Sequence, residues 1–324
     1  MLKTRLTELL GIEYPIQCGT MQGITRAELV SAVANAGGFS CIPAATFPEE
    51  EELLDEIKKT KDMTDKPFGV NVSLFPALMP RPAEELIDTV IESGVKIIET
   101  AGRNPQPYRE QIADAGLIHI HKCARVRDAV KVDRLGVDAV SIVGTECGGH
   151  PSMEGVTSLV LIPQAVDGTE KPLIAGGGFS DGRSLVVALA LGAEGVNMGT
   201  RFMGTKECTV PDAVKQKMIE SPETSTVIVM QSLGNPSRVL RNAWAEKILE
   251  MENRGASFEE LAPLISGEAG RTGWLQGDLD KGLFSVGQVV GRIHDIPSVA
   301  ELMQAIVSEA MEVKERLIQT LSAD

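Results

Sequence analysis

Aromatic side chains make up only 4% of this 324-residue chain, with two Trp, two Tyr and eight Phe, so any core must be built mainly from aliphatic residues. Long apolar runs are missing as well, and nothing in the sequence could cross a bilayer as a helix. No basic stripe offsets the formal net charge of −14. That balance argues against a nucleic-acid partner and against attraction to an anionic membrane. Cysteines are few, odd in number and widely spaced, at Cys18, Cys41, Cys123, Cys147 and Cys208. The opening MLKTRLTELLGIEYP is amphipathic and lacks the apolar centre of a secretory signal. Free thiols in a reducing cytoplasm are therefore expected. No dinucleotide fingerprint is present, because Gly176-Gly177-Gly178 does not follow the G-x-G-x-x-G spacing. Cys147-x-x-His150 is half of a metal motif without a second pair, so no bound metal is expected.

What the chain has is glycine, 32 residues of it, and short apolar runs alternating with helical patterns. Eight strand candidates occur, at 14–19, 39–44, 68–73, 96–102, 117–123, 139–144, 173–178 and 195–200. Each is continuously apolar, as suits strands buried on both faces of a parallel sheet. The intervening segments carry helical stripes, such as Leu29, Val30, Val33 and Ala36. They stop at glycines, among them Gly116, Gly136 and Gly192. Eight βα units in series predict a (β/α)8 TIM barrel over residues 1–206, with an open doubly wound sheet as the structural rival. From 207 to 296 the pattern reads as a helical extension covering the active site. Residues 297–324 form a long amphipathic helix expected to pack on the barrel.

Function in such a barrel sits where strands end. The seventh strand ends in Gly176-Gly177-Gly178 and the eighth in Gly199-Thr200. Glycine permits close backbone approach, and free N–H groups suit a phosphate. On the fifth strand Lys122 shares a face with Ile118 and Ile120, where an ammonium must find an anionic partner or reach the mouth. His119 and His121 fall on the other face and read as packing residues. After the sixth strand, Cys147-Gly148-Gly149-His150-Pro151 places a histidine on a glycine loop that can lie against a ligand and donate a hydrogen bond or a proton. Polar groups also end the first strand (Gln17, Gly19, Thr20, Met21, Gln22) and the third (Asn71, Ser73). They could meet the edge or side chain of a flavin.

Together these strings resemble the nitronate monooxygenase-like family of FMN barrels. The similarity runs from YPIQCGTMQG through KPFGVN, HKC, RLGVDAVSIVGTECGGHP, IAGGGFSDGR and NMGTRF to GDLDKGLFSVGQVVG. The stretch from His121 to Pro151 is most similar to the family's NADH:quinone reductase group. The resemblance implies bound FMN contacted by Gly19, Thr20, Met21, Gln22, Asn71, Ser73, Lys122, Gly148, Gly149, Gly176, Gly177, Gly178, Gly199, Thr200 and Gln288, with His150 and Lys122 as catalytic residues. NADH or NADPH would bind transiently over the flavin. A quinone is the first expectation for the acceptor, with alkyl nitronates or enoyl thioesters as alternatives. A monomer or a homodimer is expected. Thr20, Gly23, Ser73 and Gly176 stand where the family has glycine, an aromatic, threonine and serine.

Overall fold

The computed structural model describes residues 2–75, 81–265 and 277–322. Eight parallel strands close a barrel: β1 (Ile16–Cys18), β2 (Phe39–Pro43), β3 (Gly69–Ser73), β4 (Ile97–Ala101), β5 (Ile118–Cys123), β6 (Ala139–Val143), β7 (Leu173–Gly176) and β8 (Gly195–Met198). They pair in sequence order, and β8 returns to β1 with Gln17 opposite Asn197. A helix, α1 (Arg5–Leu10), precedes the barrel. Those between strands are α2 (Ala27–Asn35), α3 (Glu50–Met63), α4 (Ala83–Glu92), α5 (Arg109–Asp114), α6 (Val126–Arg134), α7 (Ser158–Gly168) and α8 (Gly182–Ala190). All eight strand segments expected from the sequence are found, and the expected stops at Gly116 and Gly136 adopt φ of +67° and +81°. A left-handed residue lets the chain leave a helix and turn back into the next strand.

The barrel interior is filled in two levels of opposite character. Phe39, Cys41, Ile97, Ile120, Ala139 and Ile174 form an apolar lower level, sealed from below by Leu6 and Leu10 of α1. The base is fastened by Thr4, whose hydroxyl donates to the Glu194 carbonyl (2.8 Å). One register step further along the strands the inward residues turn polar. Asn71 lies opposite Glu99, Lys122 opposite Ser141, and Gln17 opposite Asn197. Register partners in a parallel sheet face the same side, so these six residues make up a polar level above an aliphatic floor.

Beyond β8 the chain forms α9 (Thr200–Met203), α10 (Asp212–Ile219), α11 (Ala243–Asn253), α12 (Phe258–Ile265) and finally α13 (Val299–Leu321). Residues 266–276 of the 207–296 segment lie outside the described residues. That segment is not only helical: β9 (Thr226–Val229) and β10 (Ser237–Leu240) pair as an antiparallel hairpin. At four residues apiece between helical stretches, these strands lack the repeating βα alternation that marks the equally short β7 and β8. The hairpin shares a small core with α11 and α12, through Val227, Val229, Val239, Ala245, Ile248 and Leu261. Helix α13 starts at a capping box, in which Ser298 and Glu301 satisfy each other's backbone N–H. It then runs along α8 so closely that a Cβ on Gly182 would stand 2.4 Å from the Ala310 nitrogen. Glu309 accepts from the Gly182 N–H at 2.8 Å. No helix among the described residues is long and apolar enough to cross a membrane.

Candidate active site

The polar level centres on a residue that the strand pattern did not single out. Glu99, on β4, is completely buried. Gln17 Nε2 donates to its Oε2 at 2.7 Å, while Asn71 Nδ2 (2.7 Å) and the Thr20 hydroxyl (2.9 Å) donate to its Oε1. Lys122 Nζ stands 3.6 Å from Oε1, an ion pair rather than a hydrogen bond. Burial alone would push the Glu99 carboxyl up. The Lys122 charge and the three donors outweigh it and hold the acid below its usual range. The argument that flagged Lys122, a charge on an otherwise apolar strand face, applies equally to Glu99, which shares its face with Ile97. That was the signal available in the sequence.

Around this hub the strand ends supply backbone. Gly177 and Gly178 have φ of +88° and +86°, and a Cβ on Gly177 would lie 2.8 Å from the Gly144 backbone. Neither glycine's N–H has a protein acceptor among the described residues. Glycine at both positions lets the backbone approach a ligand closely, and two free N–H groups in succession are donors an anion can use. The Thr200 hydroxyl, at the end of β8, accepts from the Gly287 N–H at 2.8 Å and draws the incoming extension against the strand ends. Gly148 is needed where it is, because a Cβ there would fall 2.7 Å from the Val286 carbonyl carbon.

The histidine loop is tied to the hairpin. The Gly149 N–H donates to the Arg238 carbonyl (3.0 Å) and the Arg238 N–H donates to the Gly149 carbonyl (2.6 Å), so the loop adds an isolated bridge to β10. The Arg238 side chain repeats the tie, with Nε donating to the Thr145 carbonyl (3.1 Å), and braces the hairpin itself, with one terminal nitrogen donating to the Thr226 hydroxyl (3.0 Å). Arg238 was not visible as a site residue from sequence. His150 follows directly and is exposed. The desolvation by the surrounding walls lowers its pKa, an effect tempered by its contact with water. At neutral pH the ring is therefore neutral and can donate one N–H. Burial pushes the nearby Cys147 thiol up to about 11, which disfavours a nucleophilic thiolate there.

The other expected contacts spread out. Met21 lies with its sulfur 3.7 Å from where a Gly199 Cβ would stand. Gln22 is exposed, and its amide donates to the Ala45 carbonyl at 3.0 Å, away from the hub. The Ser73 hydroxyl accepts from the Phe75 N–H at 3.4 Å. The Gln288 side chain is exposed, but its backbone N–H donates to the Glu146 carbonyl (3.0 Å) beside the histidine loop. His119 and His121 face outward as expected, both bonded to the Thr100 hydroxyl at 2.7 Å.

With this geometry in view, the similarities are informative. The profile of the family described as nitronate monooxygenase matches residues 3–309. A Mycobacterium tuberculosis protein is 35% identical, with 96% of both chains covered, and is named a dehydrogenase of a 5-hydroxy-7a-methyl-1-oxo-octahydro-1H-indene-4-carboxyl-CoA. A probable nitronate monooxygenase of Staphylococcus saprophyticus is 32% identical over 78% of this chain and 82% of its own. Among solved structures, FabK from Thermotoga maritima superposes with a TM-score of 0.91 at 36% identity, covering 99% of this chain and 100% of that one. The chain belongs to the nitronate monooxygenase family, a family of FMN-dependent oxidoreductases.

Proposed function

We propose that this chain is an FMN-dependent oxidoreductase that couples NADH or NADPH to redox chemistry on an acyl thioester. The observation that carries the flavin half is the convergence on one barrel mouth of Lys122, the unpartnered N–H groups of Gly177 and Gly178, and the His150 loop. The residues fit FMN: the glycine turn would hold the phosphate. Gln17 Oε1 and Ser141 Oγ are buried polar atoms of the same level without a partner, a shortfall that a polar ring edge or ordered water would relieve. Bound there, FMN would supply the hydride and electron chemistry, while the protein supplies position and electrostatics.

Each residue's part follows from its surroundings. Lys122, paired to Glu99 but making no hydrogen bond among the described residues, has its N–H donors available and would stabilise negative charge on a flavin bound at this mouth. Gly177 and Gly178 would hold the phosphate through backbone alone. His150, neutral at pH 7, would donate its N–H to the substrate carbonyl oxygen and orient it over the flavin face. Thioesters are favoured as acceptor because the relatives matched over nearly the whole chain include a carboxyl-CoA dehydrogenase and FabK, an enoyl-ACP reductase. The quinone reading stands second, on the similarity of the His121–Pro151 string to quinone reductases.

Anaerobic mixing with NADH tests this directly. Bleaching of the flavin band near ~450 nm, followed by recovery on adding crotonyl-CoA, supports the thioester reading. Recovery with benzoquinone but not with crotonyl-CoA moves the acceptor to a quinone. A flavin that NADH and NADPH leave untouched but propyl-2-nitronate reduces would replace both with nitronate oxidation.

A further inference from the structure

We propose that Glu99 is the residue that tunes the flavin electrostatically, acting through Lys122 as a fixed counter-charge beneath the cofactor. The inference rests on the FMN reading above and goes beyond it, since nothing in that reading requires a carboxylate. A carboxylate without solvent contact is expensive to keep ionised, and it survives only where charges and donors compensate it. Here three side chains from β1, the β1 loop and β3 all point their donors at one acid. Packing alone would be served as well by a leucine or methionine in an aliphatic barrel.

The distances assign the division of labour. Gln17, Asn71 and Thr20 approach to 2.7–2.9 Å and fix the carboxylate in place. Lys122 stays at 3.6 Å, close enough to feel the full charge and too far to give up a hydrogen bond. The pair is thus neutral overall, with its positive end available to a ligand and its negative end buried. A lone ammonium in this position would stabilise an anionic reduced flavin more strongly. Glu99 moderates that pull, because its fixed negative charge 3.6 Å from Nζ offsets part of the ammonium's field. Substitution by glutamine is sterically mild, because the Gln17 amide can flip to offer Oε1, which has no partner, to the new amide.

The test is a set of midpoint potentials and sulfite dissociation constants for the FMN-loaded full chain carrying Glu99→Gln, Lys122→Met, or both. Sulfite binding reports the same local charge, since it leaves negative charge on the ring. Glu99→Gln is expected to raise the potential and tighten sulfite about tenfold or more, since a unit charge a few ångströms away at an intermediate dielectric is worth more than one decade. Lys122→Met is expected to do the reverse. In the Lys122→Met background Glu99 loses its counter-charge and takes up a proton, so adding Glu99→Gln changes neither reading. This non-additivity marks action through the lysine. A purely structural glutamate would lower stability and leave potential and sulfite affinity unmoved in the folded fraction. If Glu99→Gln fails to fold, Thr20→Val removes one donor from the carboxylate, which then takes up a proton more readily. The potential should rise more steeply as pH falls, and an unchanged pH dependence overturns the proposal. FMN retained by Glu99→Gln with unaltered potential and sulfite affinity overturns this inference alone. An unaltered chain that retains no FMN overturns the flavin reading and this inference together.

Discussion

At the scale of single residues, the proposed chemistry rests on Lys122 and His150, with Glu99 as the buried counter-charge of Lys122. Lys122 and His150 stood out because each breaks an apolar or glycine-rich pattern. Glu99 breaks one too, but a strand written KIIETAG reads as an ordinary barrel strand until Gln17, Thr20 and Asn71 are seen to converge on it. Convergence from separate strands has no linear signature. The His150 assignment predicts that His150→Ala keeps its FMN and loses about a hundredfold in turnover with the true acceptor; an unchanged rate by steady-state assay removes the residue from the mechanism. Its pH behaviour has a definite sign. Desolvation favours the neutral ring and sets its pKa below 6.5. Either form of the ring donates an N–H, so kcat should be constant through neutrality and change only as pH drops through that pKa, where the ring gains a positive charge beside the substrate; His150→Gln should flatten that step.

Elements were legible where a period could repeat. The eight strands and the glycine stops came directly from the alternation, because buried strands and amphipathic helices each show several residues of pattern. The hairpin of β9 and β10 did not, and with it was lost the reason the histidine loop holds its shape. Arg238 stitches that loop to the hairpin by two backbone bonds and one side-chain bond, to Thr145, while its bond to Thr226 stays within the hairpin. Arg238→Met keeps the stem and removes the side-chain pair, each bond to a charged group being worth about 1.5–3 kcal/mol. It should lower the melting temperature and raise KM more than it lowers kcat. Equal melting curves and kinetics would show that the backbone bridge suffices. The turn after β7 permits a paired comparison. Gly177→Ala faces both a φ of +88° and the Gly144 backbone at 2.8 Å, whereas Gly149→Ala has a φ of +73° with nothing within 4 Å. The first should abolish FMN retention, measured by absorbance after gel filtration. The second should cost only about 1–3 kcal/mol of strain.

For the whole molecule, stability should follow the protonation of its interior. His119 and His121 sit buried on either side of the Thr100 hydroxyl, their pKa values lowered to about 3 and about 4 by burial first, with His121 the next cause for His119. In the unfolded chain both return to the ordinary histidine value of 6.5. Between those limits the unfolded state binds more protons, so stability is complete above 6.5 and declines as pH falls towards 4. Each pKa unit corresponds to about 1.4 kcal/mol, although two rings sharing one hydroxyl titrate as a pair. Thermal melts at pH 7.5 and 5.0 should differ by several degrees, and coincident melts would show that the pair charges without cost. Glu99, held below its ordinary range, adds a second loss at still lower pH.

The aliphatic floor has one more consequence. Leu6 and Leu10 close the base beneath Phe39, Ile97, Ile120 and Ile174, so the barrel is a cup and not a tube. Protons and water reach the polar level from the rim side. A flat ligand seated at that rim acts as a stopper. While it stays, the exchange of labile hydrogens on Gln17, Asn71 and Lys122 with solvent slows to the rate at which the stopper lifts.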